Sequence, residues 1–241
     1  MASRRRIRAA VSIAAASLLL CLSDEIGKAQ QPDEATVIRG VDAAVSRRFE
    51  NVLGFTDIEH YAVYRDKDEA HSIAEMTVRD TYGKGSAKTY TILSESGSEL
   101  VRKLGLHLLI DNETTLNQPG NVKESWIDSA NYEMRLKSGE AQKLNGRSCY
   151  VLVIHPRRRA ANMVDGLLWV DAKDYSIVKL DGTASRSPSL FAGETHMMRE
   201  YINIEGFSMA AQARAETKGI LGKIAVTIEY TNYHLELSGR E

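Results

Sequence analysis

The side chains able to do chemistry are few and scattered in this chain of 241 residues. Its histidines are His60, His71, His107, His155, His196 and His234. None pairs with another at metal-ligand spacing and no H-E-x-x-H occurs, so they read as surface or satisfied residues and not as a zinc centre. The chain has neither a G-x-S-x-G nucleophile turn nor a Walker phosphate loop. Ser94, Ser96 and Ser98 stand where a helix should begin, which suits capping better than nucleophilic attack. Gly83-Lys84-Gly85 reads as a hairpin tip, and Asp171 and Asp174 share a turn, where acids are expected. Cys149 reads as a small buried hydrophobe. These residues predict no enzyme, no cofactor and no metal. Arg157, Arg158 and Arg159 form a basic tip that suits either a solvated loop or the docking of an acidic partner or anionic lipid headgroups.

The N-terminal end reads as an export signal. Arg4, Arg5, Arg6 and Arg8 precede an apolar run from Ala9 to Leu22, too short to span a bilayer comfortably. Gly27-Lys28-Ala29 places cleavage after Ala29; a retained N-terminal anchor is the other reading. Leu20 before Cys21 is too bulky for a lipidation box. Removing residues 1–29 takes away five of the 31 Lys+Arg and two of the 32 Asp+Glu, leaving a net charge of −4. That balance argues against a nucleic-acid partner, which would want a basic face. Cys149 alone remains, which excludes an internal disulfide and favours a bacterial periplasm. Residues 30–241 suit one domain, with no linker or repeat, and the chain is expected to be a monomer.

The elements are those of a sheet protein. Asp33 to Gly54 predicts a helix, with Val37, Val41, Val45, Phe49 and Val52 as its apolar stripe, Asp33 as cap and Gly54 as terminator. A second helix begins after Ser98, with Val101, Leu104, Leu108, Leu100 and Leu109 as its stripe. Strands are expected over Ile58–Arg65, Ile73–Asp80, Lys88–Ser94, around Tyr132–Leu136, from Tyr150 to His155 where Pro156 stops the run, over Leu167–Val170 and Ser176–Leu180, and then over Met197–Ile204, Ser208–Thr217 and Lys223–Tyr230. Asn145-Gly146 and Asp165-Gly166 read as turns. Most strands alternate apolar and polar, the signature of an antiparallel sheet wetted on one face. The expectation is an α+β fold: a curved antiparallel half-barrel of about ten strands wrapped around two or three helices. Such a sheet leaves an apolar concavity beside its helices, although the same pattern also suits a filled core without a ligand.

Four runs carry a family resemblance: N-G-x-x-C-Y-V-L from Asn145, G-x-L-W-V-D-A-x-D-Y-x-I-V from Gly166, S-x-S-P-S-x-F from Ser185, and the closing Ile228, Tyr230 and Tyr233. The chain resembles the outer-membrane lipoprotein-sorting proteins of the LolA-like superfamily, best between Asn131 and Tyr233. Phe207-Ser208-Met209-Ala210 departs from the aromatic-aliphatic-proline run that the family often shows. The resemblance implies a periplasmic carrier that shelters lipid or lipoprotein acyl chains in an apolar half-barrel and works with membrane-bound donor and acceptor proteins on the way to the outer membrane. The physics suits a carrier, since each buried methylene is worth ~0.8 kcal/mol and an acyl chain outside a membrane needs shelter. Inward-facing strand positions then predict the lining: Met76, Val78, Ile92, Met134, Leu136, Leu152, Ile154, Val226 and Ile228. A slip of one residue would swap the faces. The alternative is a non-catalytic envelope sensor or scaffold of the same fold, acting through protein contacts.

Overall fold

The computed structural model describes residues 32–66, 68–186, 193–219 and 222–239. The signal segment expected over 1–29 lies outside the described residues, as do Ser187 to Phe191 of the third resemblance run.

Asp33 caps the first helix, α1 (Glu34–Asn51), its carboxylate accepting from the Thr36 N–H at 2.6 Å. Val37, Val41 and Ala44 are its buried face. The helix ends at Asn51 and not at Gly54. Val52 is already extended and opens the first strand, in which Gly54 is an internal residue. A Cβ on Gly54 would lie 3.0 Å from the Tyr82 carbonyl, so this glycine serves close strand packing.

The strands are β1 (Val52–Arg65), β2 (Ala74–Gly83), β3 (Thr89–Gly97), β4 (Tyr132–Leu136), β5 (Gln142–Leu144), β6 (Arg147–Pro156), β7 (Val164–Asp171), β8 (Ile177–Ala184), β9 (Thr195–Ile204), β10 (Phe207–Gly219) and β11 (Gly222–Leu237). They form one open antiparallel sheet of 11 strands in the order β3-β2-β1-β11-β10-β9-β8-β7-β6-β4, with β5 paired to β6. Asn145 and Gly146 both have positive φ and make the tight β5–β6 turn read from the sequence. Asp165-Gly166 is not a turn, because both residues lie within β7. Gly166 faces Gly182 across the β7–β8 ladder, and a Cβ on Gly166 would fall 2.6 Å from the Gly182 Cα. Close approach of two backbones is what requires glycine there.

Between β3 and β4 the chain must travel from one edge of the sheet to the other, and it does so as helix. α2 (Glu99–Val101) runs through a π-helical turn (Arg102–Leu106) into α3 (His107–Leu116). Ser98 caps this run, accepting from the Val101 N–H at 3.4 Å. The π turn carries an extra residue, which rotates everything after it. The apolar stripe is therefore split. Leu106 and Ile110 are buried, while Leu100, Leu104 and Leu108 are 68%, 59% and 50% exposed.

The sheet curls over its helices. β1 and β4 stand seven places apart in the sheet order, roughly 34 Å if flat. Yet α1, about 27 Å long, touches both of them. Near its start the Glu34 carboxylate accepts from the Leu136 N–H of β4 at 2.9 Å. About two turns further, Asp42 accepts from the N–H and hydroxyl of Ser129 at 2.8 and 2.6 Å.

Candidate functional site

The concave face holds two apolar clusters. Under α1, Val37 and Val41 pack with Tyr132, Met134, Leu152, Ile154, Leu168 and Val170. Under α2 and α3, Leu106 and Ile110 pack with Tyr61, Val63, Met76 and Val78. The sequence-predicted lining divides between them. Met134, Leu152 and Ile154 are buried in the first, with Leu136 at its margin; Met76 and Val78 are buried in the second, with Val226 and Ile228 packed against it. Ile92 pairs with Val78 across the ladder but is 43% exposed on edge strand β3. Among the described residues these side chains, Ile92 apart, lie in or against the two packed clusters.

The basic tip is engaged with its own fold. Arg157 Nε donates to the Ser129 carbonyl at 3.1 Å and Arg159 Nε to the Ser185 carbonyl at 3.1 Å. Arg158 donates to the Glu124 carbonyl and lies 3.4 Å from its carboxylate. Each arginine ties this loop to a neighbouring one.

A charged band was not read from the sequence. Asp57 and Glu59 on β1 and Asp80 on β2 are buried on the concave face. Lys88, just before β3, enters the group from the side. Its Nζ lies 2.9 Å from Glu59 Oε1, 2.9 Å from Asp80 Oδ2 and 3.4 Å from Glu113 Oε2 of α3. Tyr61 donates its hydroxyl to Glu59, and Tyr90 donates to Glu113 at 2.6 Å. The Lys88 ammonium also sits 4.8 Å from the centre of the Tyr90 ring. These contacts hold α3 down on β1, β2 and β3.

Four carboxyl groups surround one ammonium, so they do not all carry charge alike. Burial, then Glu59 and Asp80, push Asp57 up to about 8. Burial also raises Glu59 and Asp80, against the pull of Lys88. For Glu113 burial opposes ionisation, but Lys88 and Arg199 more than offset it and its pKa is lowered. Burial opposes the charge on Lys88 too, and the surrounding acids overcome it, raising its pKa well above the ordinary value. Neither carboxylate oxygen of Asp57 or Asp80 has a hydrogen bond of good geometry. A proton held between these two side chains satisfies both, as in other close carboxyl pairs.

Asp57, Glu59 and Asp80 offer oxygens within 4.8 Å of one another, a spacing a divalent cation could use. The Lys88 ammonium already contacts two of these acids and supplies the positive charge there. Proton chemistry fits the donor set better than metal ligation.

Two arginines complete the interior. Arg48 extends the buried face of α1, four residues after Ala44. Burial lowers its pKa, and its polar neighbours are Tyr201, Tyr233 and Tyr82. Arg199 of β9 neighbours Tyr230, Tyr201 and Glu113, and its pKa is raised.

The signal for these charges was parity. Asp57 and Glu59 share a strand face with Tyr61 and Val63, and Asp80 shares one with Ala74, Met76 and Val78. Glu113 follows Leu106 and Ile110 at helical spacing. Charged residues at core positions of a regular pattern mark a buried polar site.

No protein-family profile matches the chain, and no curated protein matches it in sequence. Among solved structures it is similar to a LolA superfamily protein from Nitrosomonas europaea, at 12% identity and TM-score 0.45 over 85% of this chain and 94% of that one. It is also similar to a putative outer membrane lipoprotein-sorting protein domain from Vibrio parahaemolyticus, at 12% identity and TM-score 0.47 over 86% and 94% of the two chains. A DUF1329 family protein from Desulfovibrio piger is similar at 14% identity and TM-score 0.42 over 85% and 95%. No residue of the site described above is carried over from these proteins.

Proposed function

We propose that the chain is a non-catalytic carrier of the bacterial periplasm that shelters an acyl chain between its curved sheet and the α2–α3 run. The supporting observation is that this run is apolar on two sides. Leu106 and Ile110 face the sheet, and Leu100, Leu104 and Leu108 face outward. A helix with a leucine stripe in water is under a standing drive to cover it. Lifting α2 and α3 would offer a guest the apolar wall of Met76, Val78, Val226 and Ile228, and the second cluster around Met134, Leu136, Leu152 and Ile154 would continue it under α1. Ile92 and the outward leucines would form the rim. The two clusters are packed, so a guest would exchange with their side chains. That keeps affinity moderate, as a hand-off requires. Cargo of lipid or lipoprotein type, export by the N-terminal segment and partners in the two membranes belong to the same reading.

The test is uptake of cis-parinaric acid by the purified chain lacking residues 1–29. Saturable fluorescence enhancement at one guest per chain is expected; a flat titration would remove the carrier reading.

The leucine stripe also supports a second reading. If the interior stays closed, Leu100, Leu104 and Leu108 beside edge strand β3 form a protein-docking face and the chain acts as an envelope scaffold. Pull-down from envelope extract that is lost on replacing the three leucines, with no lipid uptake, would favour it.

A further inference from the structure

We infer that Arg48 and Arg199 form an anion-recognition site inside the fold, built for the carboxylate or phosphate of an acidic amphiphile. The inference deepens the carrier reading by naming the headgroup, and it rests on that reading for the amphiphile.

Three observations carry it. First, Arg48 occupies a position on α1 that the stripe of Val37, Val41 and Ala44 reserves for an apolar side chain. Second, its Nε is buried without any hydrogen-bond partner, and among the described residues no carboxylate lies within ion-pair distance of either Arg48 or Arg199. The four acids of the interior are grouped about Lys88 instead. Both arginines are half-buried, and a guanidinium keeps its charge; Arg48 Nε is cut off from water and unpaired, which is unfavourable, while Glu113 is the acid whose field reaches Arg199. Third, Arg199 and Tyr201 are two residues apart on one face of β9, where Arg199 lies across β10 from Ile228 and so beside Tyr230, and Tyr201 with Tyr82 and Tyr233 also neighbours Arg48. Guanidiniums and phenol hydroxyls are the donors that an oxyanion needs. They supply no negative charge of their own at neutral pH, since burial holds Tyr82, Tyr230 and Tyr233 protonated.

An approach to this site exists. Tyr82 also lines a recess of about 220 Å³ with Phe49, Lys84, Gly85, Ser86, Asn117, Pro119 and Val122. Lys84 stands at that recess, 5.1 Å from the Phe49 ring centre, and adds a further cation on the way in. An amphiphile entering here would meet basic and phenolic groups before the apolar wall.

The experiment compares palmitic acid, palmitoyl methyl ester, lysophosphatidic acid and inorganic phosphate as ligands of the chain lacking residues 1–29, by displacement of a neutral fluorescent lipid and by thermal shift. The acid and the lysophosphatidate should bind about tenfold or more tightly than the ester. Arg48→Met should reduce that ratio to near unity with ester affinity unchanged, and Arg199→Met should do the same if either variant proves hard to fold. Equal binding of acid and ester by the parent chain overturns the anion site but leaves the carrier reading intact. If no amphiphile binds, the carrier reading fails, and phosphate decides the rest. A phosphate-dependent thermal shift lost in Arg48→Met keeps an anion site for free phosphate, and no shift overturns it.

Discussion

Asp57 stands directly across the β1–β2 ladder from Asp80, and both side chains point into the concave interior, where one proton between them relieves two buried charges. An aspartate in the unfolded chain loses its proton near pH 4, whereas Asp57 in the fold keeps it to about 8. Within that window the folded chain binds the extra proton, so stability falls as pH rises through it, by up to ~1.4 kcal/mol per unit from this group, and levels off above it. Asp57→Asn removes the titration. The variant should match the parent near pH 5 and exceed it by about 1–3 kcal/mol at pH 8.5. Urea midpoints at the two pH values check this, and an equal loss at both would refute it.

Among the described residues Lys88 is the cation in ion-pair contact with Glu59, Asp80 and Glu113. Lys88→Met keeps the apolar stem and strips the charge, leaving the acids uncompensated. A loss of about 3–5 kcal/mol is expected at pH 7.5. The loss should shrink at pH 5, where the same acids take up protons. A small loss that does not change with pH would show that the ammonium holds nothing together.

Gly182 and Gly166 let two backbones approach where β7 crosses β8. A Cβ on Gly182 would lie 2.8 Å from the Gly166 Cα and meet the Asp165 carbonyl. Gly182→Ala should cost about 1–3 kcal/mol by parting the strands. Gly105→Ala is the contrast, since its added methyl meets only Val101 Cγ1 at 3.9 Å. Melting temperature should drop for the first and hold or rise for the second.

Leu100, Leu104 and Leu108 are exposed, so replacing all three by Gln should move stability by no more than about 0.5 kcal/mol per site. Under the carrier reading the stripe meets the membrane when cargo is lifted out. Extraction of labelled lipid from vesicles should slow several-fold, while uptake of a soluble fatty acid stays unchanged. Unaltered extraction would leave the stripe without a part in loading.

Much of the architecture was legible in the sequence because it depends on local rules. Alternation fixed the strands, Asp33 and Ser98 marked the helix starts, and Asn145-Gly146 marked a tight turn. What was hidden depended on tertiary proximity. Asp165-Gly166 has the composition of a turn, and only the partner strand reveals Gly166 as a point of close contact. The π turn in Arg102–Leu106 has no composition signal, so the helical stripe was drawn through leucines that face solvent. The charged band was missed for a different reason. Read from Ile58, β1 shows Glu59 in step with Tyr61 and Val63 but omits Asp57, and Val52 and Gly54 are buried on the other parity, so the inward phase changes just before Asp57. Arg48 was passed over beside Phe49, although it lies four residues beyond buried Ala44.

The central claim is that the interior admits a greasy guest. Native mass spectrometry of the chain lacking residues 1–29, purified from bacterial envelope without detergent, tests it most directly. The account predicts a bound population shifted by the mass of one lipid, released on mild activation and restored when the stripped protein is mixed with acyl chains. A single ligand-free species, unchanged after such mixing, would contradict it.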